Sequence, residues 1–388
     1  MTPAARIQAA IEVLDQIGDG TAAEKALTGW ARRARFAGSG DRAAVRDHVF
    51  QALRCWASYA ALGGADSGRG RMIGALRSEG ADPSDVFTGA QYAPAPLDPD
   101  ELQAGIRPEG ADAWDLPEWL AALFVDDLKD SAQDVALALR QRAPIMLRVN
   151  LRRGDIAQAL ASLFEDNIHA TAHPIANTSL LVTEGARRIK QSAAYLSGLV
   201  ELQDGSSQAA MAGLNIHKAA RILDYCAGGG GKALALAARS DAAVFAHDID
   251  PARMVDLPAR AARAGVDIGA LETRALRDEP PFDLVLCDAP CSGSGTWRRT
   301  PEAKWRLTPE RLDQLTRIQK QVLADAAPLV AQGGQLIYAT CSMLTVENDA
   351  QIAAFVAANP DWVVRETHSF PVSDGGDGFF VAHLLRDG

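Results

Sequence analysis

Several features that would assign this chain to a familiar class are missing from its sequence. Its 388 residues contain no apolar run of about 18 residues or more, so no membrane-spanning helix is expected. The first residues lack the charged and then apolar layout of a secretion signal. We therefore expect a cytoplasmic protein without a membrane partner.

Cysteine is scarce, with five residues in the whole chain: Cys55, Cys226, Cys287, Cys291 and Cys341. An odd number in a chain without an export signal argues against a disulfide framework. The cysteines form no CxxC pair and no histidine cluster lies near them, so no metal site is expected. Because four of the five lie beyond residue 220, reactive thiols are one explanation for their distribution.

Net positive charge is also absent, since the formal charge is −10. Nucleic-acid binding depends on phosphate contacts, so an RNA partner would have to meet local basic clusters. Such clusters occur between Arg140 and Arg153, between Arg187 and Lys190, and between Arg298 and Arg306. Each of them fits a solvated protein surface equally well.

The length predicts more than one domain. Residues 1–141 read as helical: apolar residues from Ile7 to Ile17 recur at helical spacing, and a helix over Gly40–Ala61 would be capped by Asp41. Helical pattern returns over 116–141 after the proline-rich stretch APAPLDPDE. We predict a helical domain over 1–141, a small α/β module over 142–212 and a Rossmann-like domain over 213–388.

The second and third modules are predicted from alternating strand and helix patterns. PIMLRVNL, DIAQALASLFED and TSLLVTEG suggest a small βαβ-like module. RILDYC, AVFAHDID, FDLVLCDAP and GGQLIYATCS read as buried strands separated by helices, which predicts a doubly wound, mostly parallel sheet. With VVRET and FFVAHLLR near the end, the α/β sheet would have about seven strands.

A glycine-rich turn follows the first of these strands and predicts a cofactor site. Contiguous glycines let the backbone approach a ligand closely, and an acidic residue after the next strand can bind ribose hydroxyls. The spacing differs from GxGxxG, and Ala233 replaces the hydroxyl residue of a phosphate loop. We therefore favour S-adenosylmethionine, with these predicted cofactor contacts: Cys226, Ala227, Gly228, Gly229, Gly230, Gly231, Lys232, Asp248 and Asp288.

Two further strands end in DAPCSGSG and ATCS, which places Asp288, Cys291 and Cys341 at the same edge of the predicted sheet. C5 of cytosine is a poor nucleophile, and addition of a thiolate to C6 would make it reactive. A carboxyl group at N3 would stabilise the adduct. One nucleophilic cysteine, one acid and one helper thiol form a sensible set for this reaction.

These motifs resemble the RsmB-type family of RNA cytosine-C5 methyltransferases. ILDYCAGGGGK is similar to the cofactor motif of that family, and DAPCSGSG and YATCS are similar to its two cysteine motifs. RVN at 148–150, QDGSSQ at 203–208, RRTPEAKW at 298–305 and DGFF at 377–380 also resemble family segments. The N-terminal part resembles the NusB-like helical domain that many members carry.

The resemblance implies a role for each matching residue. Cys341 would attack C6, Cys291 would assist product release, and Asp288 would contact the N3 edge of the cytosine. The partner would be RNA, most plausibly ribosomal RNA of the small subunit, with a monomer as the default assembly. The implied RNA contacts are Arg148, Asn150, Arg298, Arg299 and Lys304.

Two alternatives stay open. A methyltransferase of the same class that acts on a protein or small molecule would explain the sheet and the glycine turn but not the cysteine pair. A non-catalytic RNA-binding protein would explain the basic clusters but not the cysteines with Asp288. Trp297 and Trp305 could stack on an extruded base, or pack in the protein interior.

Overall fold

The computed structural model describes residues 1–216 and 221–387, and the chain divides into two compact units. The helical unit consists of Met1–Arg142 together with Trp297–Arg306, and the sheet unit consists of Ala143–Thr296 together with Leu307–Gly388. The sequence does not assign the segment Trp297–Arg306 to the helical unit. The division into three modules stays a prediction.

The α-helices are, in chain order, α1 (Pro3–Gly18), α2 (Ala23–Arg33), α3 (Ser39–Arg54), α4 (Trp56–Gly63), α5 (Gly68–Ser78), α6 (Pro99–Gln103), α7 (Gly110–Trp114), α8 (Glu118–Leu128), α9 (Ala132–Leu139), α10 (Ile156–Glu165), α11 (Ala193–Leu196), α12 (Gly205–Ala212), α13 (Gly231–Arg239), α14 (Leu257–Ala264), α15 (Pro301–Arg306), α16 (Pro309–Ala326) and α17 (Asp349–Ala358). The strands are β1 (Ile145–Val149), β2 (His169–Ala172), β3 (Ser179–Glu184), β4 (Val200–Leu202), β5 (Arg221–Asp224), β6 (Ala243–Ala246), β7 (Ile268–Ala270), β8 (Phe282–Asp288), β9 (Val330–Thr340), β10 (Trp362–Phe370) and β11 (Phe379–Arg386). Short 3-10 turns occur at Pro83–Asp85, Lys129–Ser131, Ala186–Gln191, Pro251–Met254, Ser294–Thr296, Ala327–Leu329 and Thr345–Glu347. Among the described residues, no helix is long and apolar enough to cross a membrane.

Helix α1 begins where the Thr2 side chain accepts a hydrogen bond from the Ala5 amide, and Pro3 occupies the first turn, where its missing N–H costs nothing. The predicted apolar face of this helix, including Ile7 and Leu14, is buried in the core of the helical unit. The helical prediction for the start of the chain is therefore confirmed.

The single helix predicted over Gly40–Ala61 is interrupted in the structure. It is broken at Cys55 into α3, which begins at Ser39, and α4. Asp41 does cap the start, as predicted: it lies in the first turn of α3, and its carboxylate accepts a hydrogen bond from the Gly38 amide. The same carboxylate accepts from the Met1 ammonium and from Arg6, so it also ties α3 to α1.

The segment Trp297–Arg306, which contains α15, is built into the helical unit. Trp297 is fully buried and stacks on Phe124 with ring centroids 5.9 Å apart and an interplanar angle of 9°. The Trp305 indole N–H donates to the Leu53 carbonyl at 2.8 Å. Thus both tryptophans of this segment serve packing inside the unit.

The sheet unit contains a small antiparallel sheet with the order β2-β3-β1-β4. Strand β1 pairs antiparallel with both β3 and β4, and the chain order β1, α10, β2, β3 adds a short strand β2 that the sequence pattern did not predict. Helix α10 starts at the capping residue Asp155, whose carboxylate accepts from the Gln158 amide, and it buries Leu163 against this sheet.

The second sheet has the order β10-β11-β9-β8-β5-β6-β7. The run β9-β8-β5-β6-β7 is parallel, while β11 and β10 are antiparallel. Successive residues of β5 face opposite sides: Ile222 packs in the core with α13 and α14, and Leu223 packs in the core with α16 and α17. The predicted α/β class with a mostly parallel sheet and a helical N-terminal region is confirmed.

Candidate active site

The carboxyl ends of the parallel strands gather the predicted chemical groups at one edge of the sheet. Strand β5 ends at Asp224, β6 is followed by Asp248, β8 ends at Asp288 and β9 is followed by Cys341. Because β9, β8, β5 and β6 are neighbours in this order, these side chains lie in a row along the edge.

The two predicted reactive cysteines are in contact. The Sγ atoms of Cys291 and Cys341 are 3.3 Å apart, and both residues are half-buried free thiols. The loops that carry them are also joined by a backbone hydrogen bond, in which the Gly295 amide donates to the Cys341 carbonyl at 3.0 Å. Two thiols at this distance can share a proton through a hydrogen bond.

A charged pair lies beside the thiols. The Lys232 ammonium donates to Asp288 Oδ2 at 2.6 Å. Burial lowers the pKa of Lys232, but the Asp288 carboxylate outweighs burial and leaves that pKa above its ordinary value. Lys232 is therefore a stable cation in the site, and it holds the Asp288 carboxylate in place.

The glycine turn before α13 has the backbone geometry that glycine favours. Gly228 and Gly230 have φ values of +52° and +79°, in the left-handed region. The Gly228 amide donates to Asp248 Oδ2 at 2.9 Å, so the turn is tied to the end of β6. The amides at the start of α13 face the strand edge, and the Ala233 amide donates to Asp224 Oδ2 at 3.0 Å.

Asp224 has the features of a group that binds a cationic ligand. Its Oδ1 atom is buried and has no hydrogen-bond partner among the described residues. Burial, with the nearby charge of Asp288, raises the pKa of Asp224 to about 7. An unpaired carboxylate oxygen is costly unless something occupies it. Together with the glycine turn, Asp224 fits a cofactor that carries an ammonium or sulfonium group.

Asp248, the predicted ribose contact, is buried and already tied to the protein. Its Oδ2 also accepts from Arg253 at 3.0 Å, and its Oδ1 accepts from the Asp250 amide at 3.0 Å. Beside it, Ile249 is 78% exposed, which is unusual for a large apolar side chain. An exposed apolar side chain next to a buried carboxylate suits contact with a flat aromatic base.

Replacing Gly230 by alanine is expected to damage the cofactor turn. A left-handed φ costs an L-residue about 1–2 kcal/mol, and the new Cβ would lie 2.3 Å from Leu257 Cδ1. Gly333→Ala is the matched control, because Gly333 has a φ of +71° but no atom within 4 Å of the new Cβ. Calorimetric titration with the cofactor should show weaker binding for Gly230→Ala alone. Equal binding by both variants would contradict the assignment of this turn.

Of the predicted RNA contacts in the sheet unit, Arg148 and Asn150 need correction. Arg148 is buried, and its guanidinium donates to Gln203 and to the Gly231 carbonyl. Burial lowers its pKa to about 10. The Asn150 amide group donates to the carbonyls of Gly198 and Ala264. These side chains hold the glycine turn and neighbouring loops and have no open face for a phosphate.

In the helical unit, Arg298 and Lys304 also need correction. Both are buried, and the Lys304 ammonium donates to the Arg54 carbonyl at 2.9 Å. Burial lowers the pKa of Lys304 to about 8. Arg299 is half-buried and lines a cavity of about 400 Å³ together with Arg46, Arg54 and Arg142, and Asp47 and Glu79 also line this cavity. Of the three predicted RNA contacts in this unit, Arg299 is therefore the one whose side chain lines a surface cavity.

Sequence reasoning missed Glu347, which lies at the end of the 3-10 turn Thr345–Glu347. This carboxylate is fully buried and accepts hydrogen bonds from Ser292 and Ser342, the residues that follow the two cysteines. The hint that the sequence offers is an acidic residue shortly after the second cysteine motif. An exposed acidic residue at the start of a helix is an equally good interpretation of it. In the described part of the chain, no group of histidine, cysteine or acidic side chains is arranged to hold a metal ion.

Comparison with known proteins identifies the relatives of this chain. Residues 211–385 match the family model "16S rRNA methyltransferase RsmB/F", and residues 116–187 match the ferredoxin-like domain of RsmF/B-like methyltransferases. The chain belongs to the RsmB/F methyltransferase family. A ribosomal RNA small subunit methyltransferase B from Yersinia pestis bv. Antiqua (strain Angola) is 33% identical over 287 residues. That match covers 70% of this chain and 66% of the relative, which is just under two thirds of the relative's length.

Solved structures show the same fold as this RsmB/F family member. The crystal structure of PH0851 matches 99% of this chain and 99% of its own with a TM-score of 0.75 at 21% identity. NSun6 from Pyrococcus horikoshii, solved with SFG, matches 70% of this chain and 98% of its own with a TM-score of 0.62 at 16% identity. At these identities the likeness concerns the fold.

Proposed function

We propose that this chain transfers a methyl group from S-adenosylmethionine to C5 of a cytosine in ribosomal RNA of the small subunit. The observation that carries the proposal is the pair of thiols, Cys291 and Cys341, 3.3 Å apart beside the Lys232–Asp288 pair. Family membership and relatives named as small-subunit methyltransferases support the substrate class.

The cofactor residues fit S-adenosylmethionine. The unpaired Oδ1 of Asp224 can accept from the cofactor's ammonium group, and the amides of the glycine turn can approach it closely. Asp248 and the exposed Ile249 are the residues that we propose for contact with the ribose and the adenine. Bound S-adenosylmethionine would supply an electrophilic methyl group, and NSun6, a structure of the same fold, was solved with SFG.

The side chains divide the reaction between them. The Cys341 thiolate attacks C6 and forms an S–C bond, while the C5=C6 electron pair moves through C4 toward N3, which takes up a proton from solvent. The Asp288 carboxylate accepts a hydrogen bond from the resulting N3–H. C5 then accepts the methyl group. Transfer of H5 as a proton to a water molecule restores the C5=C6 bond and expels the Cys341 thiolate, and N3 returns its proton to solvent. Cys291, in contact with Cys341 Sγ, is placed to assist this last step.

A different substrate class is the second candidate. A methyltransferase that acts on a protein or small molecule needs the cofactor turn but not two thiols in contact.

We propose the helical unit as an RNA-binding domain. Arg299 and the other arginines that line its cavity are the first candidates for contact with RNA phosphates.

Labelling of ribosomal RNA tests the proposal directly. Unmodified small-subunit RNA, incubated with the protein and methyl-labelled S-adenosylmethionine, should acquire label in 5-methylcytosine at a single position. Nucleoside analysis and bisulfite sequencing would identify the base and its place. Label in protein, in another nucleoside or in no RNA, despite proven cofactor binding, would favour the second candidate.

A further inference from the structure

Glu347 is a fully buried carboxylate in the sheet unit with a polar shell of its own. Its Oε1 accepts from the Ser292 amide at 2.8 Å and from Gln319 Nε2 at 2.9 Å. Its Oε2 accepts from the hydroxyls of Ser292, at 2.5 Å, and Ser342. Burying a carboxylate costs free energy unless hydrogen-bond donors surround it. These donors therefore stabilise the buried charge of Glu347.

The donors come from both cysteine loops. Ser292 directly follows Cys291, and Ser342 directly follows Cys341, so one carboxylate holds the residue after each thiol. The Ser294 hydroxyl joins the same cluster, 3.0 Å from the Ser342 hydroxyl, and accepts from the Met343 amide at 2.7 Å. The two loops are therefore fixed to one another through a single buried charge.

Two other elements hold Glu347 from behind. Gln319 of α16 donates both to Glu347 and to the Pro290 carbonyl, one residue before Cys291. The Tyr338 hydroxyl of β9 donates to the Glu347 carbonyl at 2.6 Å. The carboxylate cannot move without moving the loops, because its backbone and its side chain are both anchored.

We propose that Glu347 is a positioning residue that holds the Cys291 and Cys341 thiols in contact and assigns them different roles. The assignment of nucleophile and helper rests on the proposed function, whereas the positioning of the thiols does not. Glu347 touches neither Sγ atom through a hydrogen bond in the described structure and acts through Ser292 and Ser342.

The charge of Glu347 also acts on the Cys291 thiol. The hydrogen bond with Cys341, burial, the charge of Cys341 and the charge of Glu347 together raise the pKa of Cys291 well above its ordinary value. Cys291 therefore stays protonated near neutral pH. Lys232 and its partner Asp288 also lie beside the thiols, and Tyr338 interacts with Cys291.

Alkylation of the two cysteines in Glu347→Gln tests the proposal without RNA or cofactor. Iodoacetamide labelling across a pH series, read by peptide mass spectrometry, gives a rate for each thiol. In the wild type, Cys291 should react slowly until the pH is well above neutral. In Glu347→Gln, Cys291 should react about tenfold faster at neutral pH, because one interaction with a charged group is lost. The pH profile of its alkylation rate should move to lower pH.

Asp115→Asn is the matched control, because Asp115 is also a fully buried carboxylate that accepts from two amides, Ala57 and Ser58, and from the Ser58 hydroxyl. It lies in the helical unit, so its loss should lower the melting temperature and leave both alkylation profiles unchanged. Ser342→Ala provides a second variant should Glu347→Gln fail to fold. It removes one donor and should change the Cys341 rate relative to Cys291.

A Glu347→Gln protein that melts like Asp115→Asn but keeps the wild-type rates and pH profiles would overturn the proposal, and so would unchanged rates in Ser342→Ala. Failure of the proposed function gives a different result. Altered alkylation in Glu347→Gln together with no methylation of ribosomal RNA by the wild type would leave the positioning role standing and remove the RNA substrate.

Discussion

Cys341→Ala is expected to abolish methyl transfer to RNA, with a loss of at least about 10³-fold, because the proposed mechanism needs the Cys341 sulfur for the bond to C6. No covalent protein–RNA complex should form with this variant. Cys341 follows β9 directly at the sheet edge and contacts the Cys291 thiol, and its choice over Cys291 rests on the proposed mechanism. The measurement is methylation of small-subunit RNA together with a denaturing gel that separates free protein from adduct.

Cys291→Ala is the informative partner of this variant. The nucleophile remains, so the adduct should form, but release is impaired and a slowly migrating protein–RNA band should accumulate. Cys55→Ala is the control, since Cys55 is a buried thiol of the helical unit and should leave turnover unchanged. An adduct that survives Cys341→Ala and disappears in Cys291→Ala would reverse the two roles.

The sequence predicts the site well where topology alone brings residues together. Asp288 and Cys341 are 53 positions apart in the numbering, yet both follow strands of a parallel sheet, and neighbouring parallel strands present their carboxyl ends at one edge. The apolar runs of β8 and β9 predict strands clearly because both strands are buried on two faces. The contact between the two thiols depends on the conformation of the loops after these strands, and hydrophobic periodicity does not predict loop conformation.

Burial of charged residues is the part that the sequence could not show. Lys304 and Arg298 lie in a basic stretch that resembles a phosphate-binding surface, but both are buried: the Lys304 ammonium donates to the Arg54 carbonyl, and the Arg298 carbonyl accepts from the Arg54 guanidinium. Glu347 was missed for the same reason: its donors, Ser292 and Ser342, are distant from each other in sequence. The identity of one acidic or basic residue in a sequence does not indicate whether its side chain will be buried or which groups will contact it.

Local patterns also failed where tertiary contacts overrule propensity. The apolar spacing from Val45 to Trp56 continues across Cys55, but the chain turns there, and the Asp115 carboxylate accepts the amides of Ala57 and Ser58 at the start of α4. In the small sheet, the sequence patterns of β1 and β3 flank that of helix α10, as the two strands of a βαβ unit would. The interposed short strand β2, only four residues long and largely exposed, makes the pairing antiparallel.

Trp297→Ala is expected to lower the free energy of unfolding of the helical unit by about 3–5 kcal/mol. The indole is fully buried and stacked on Phe124, so its removal leaves a large cavity. Chemical denaturation followed by circular dichroism would measure the loss. Tyr92→Ala is the control, because Tyr92 is 72% exposed and its loss should cost less than about 0.5 kcal/mol.

The same variant separates two roles that the sequence left open for Trp297. A tryptophan that stacks on an extruded base would, when replaced, reduce RNA affinity and leave stability nearly unchanged. A buried tryptophan gives the opposite result under conditions where the variant is still folded: stability falls, and RNA affinity measured by filter binding stays close to that of the wild type. Since Phe124 already covers the indole face, we expect the second outcome, and an affinity loss without destabilisation would contradict the packing observed around this residue.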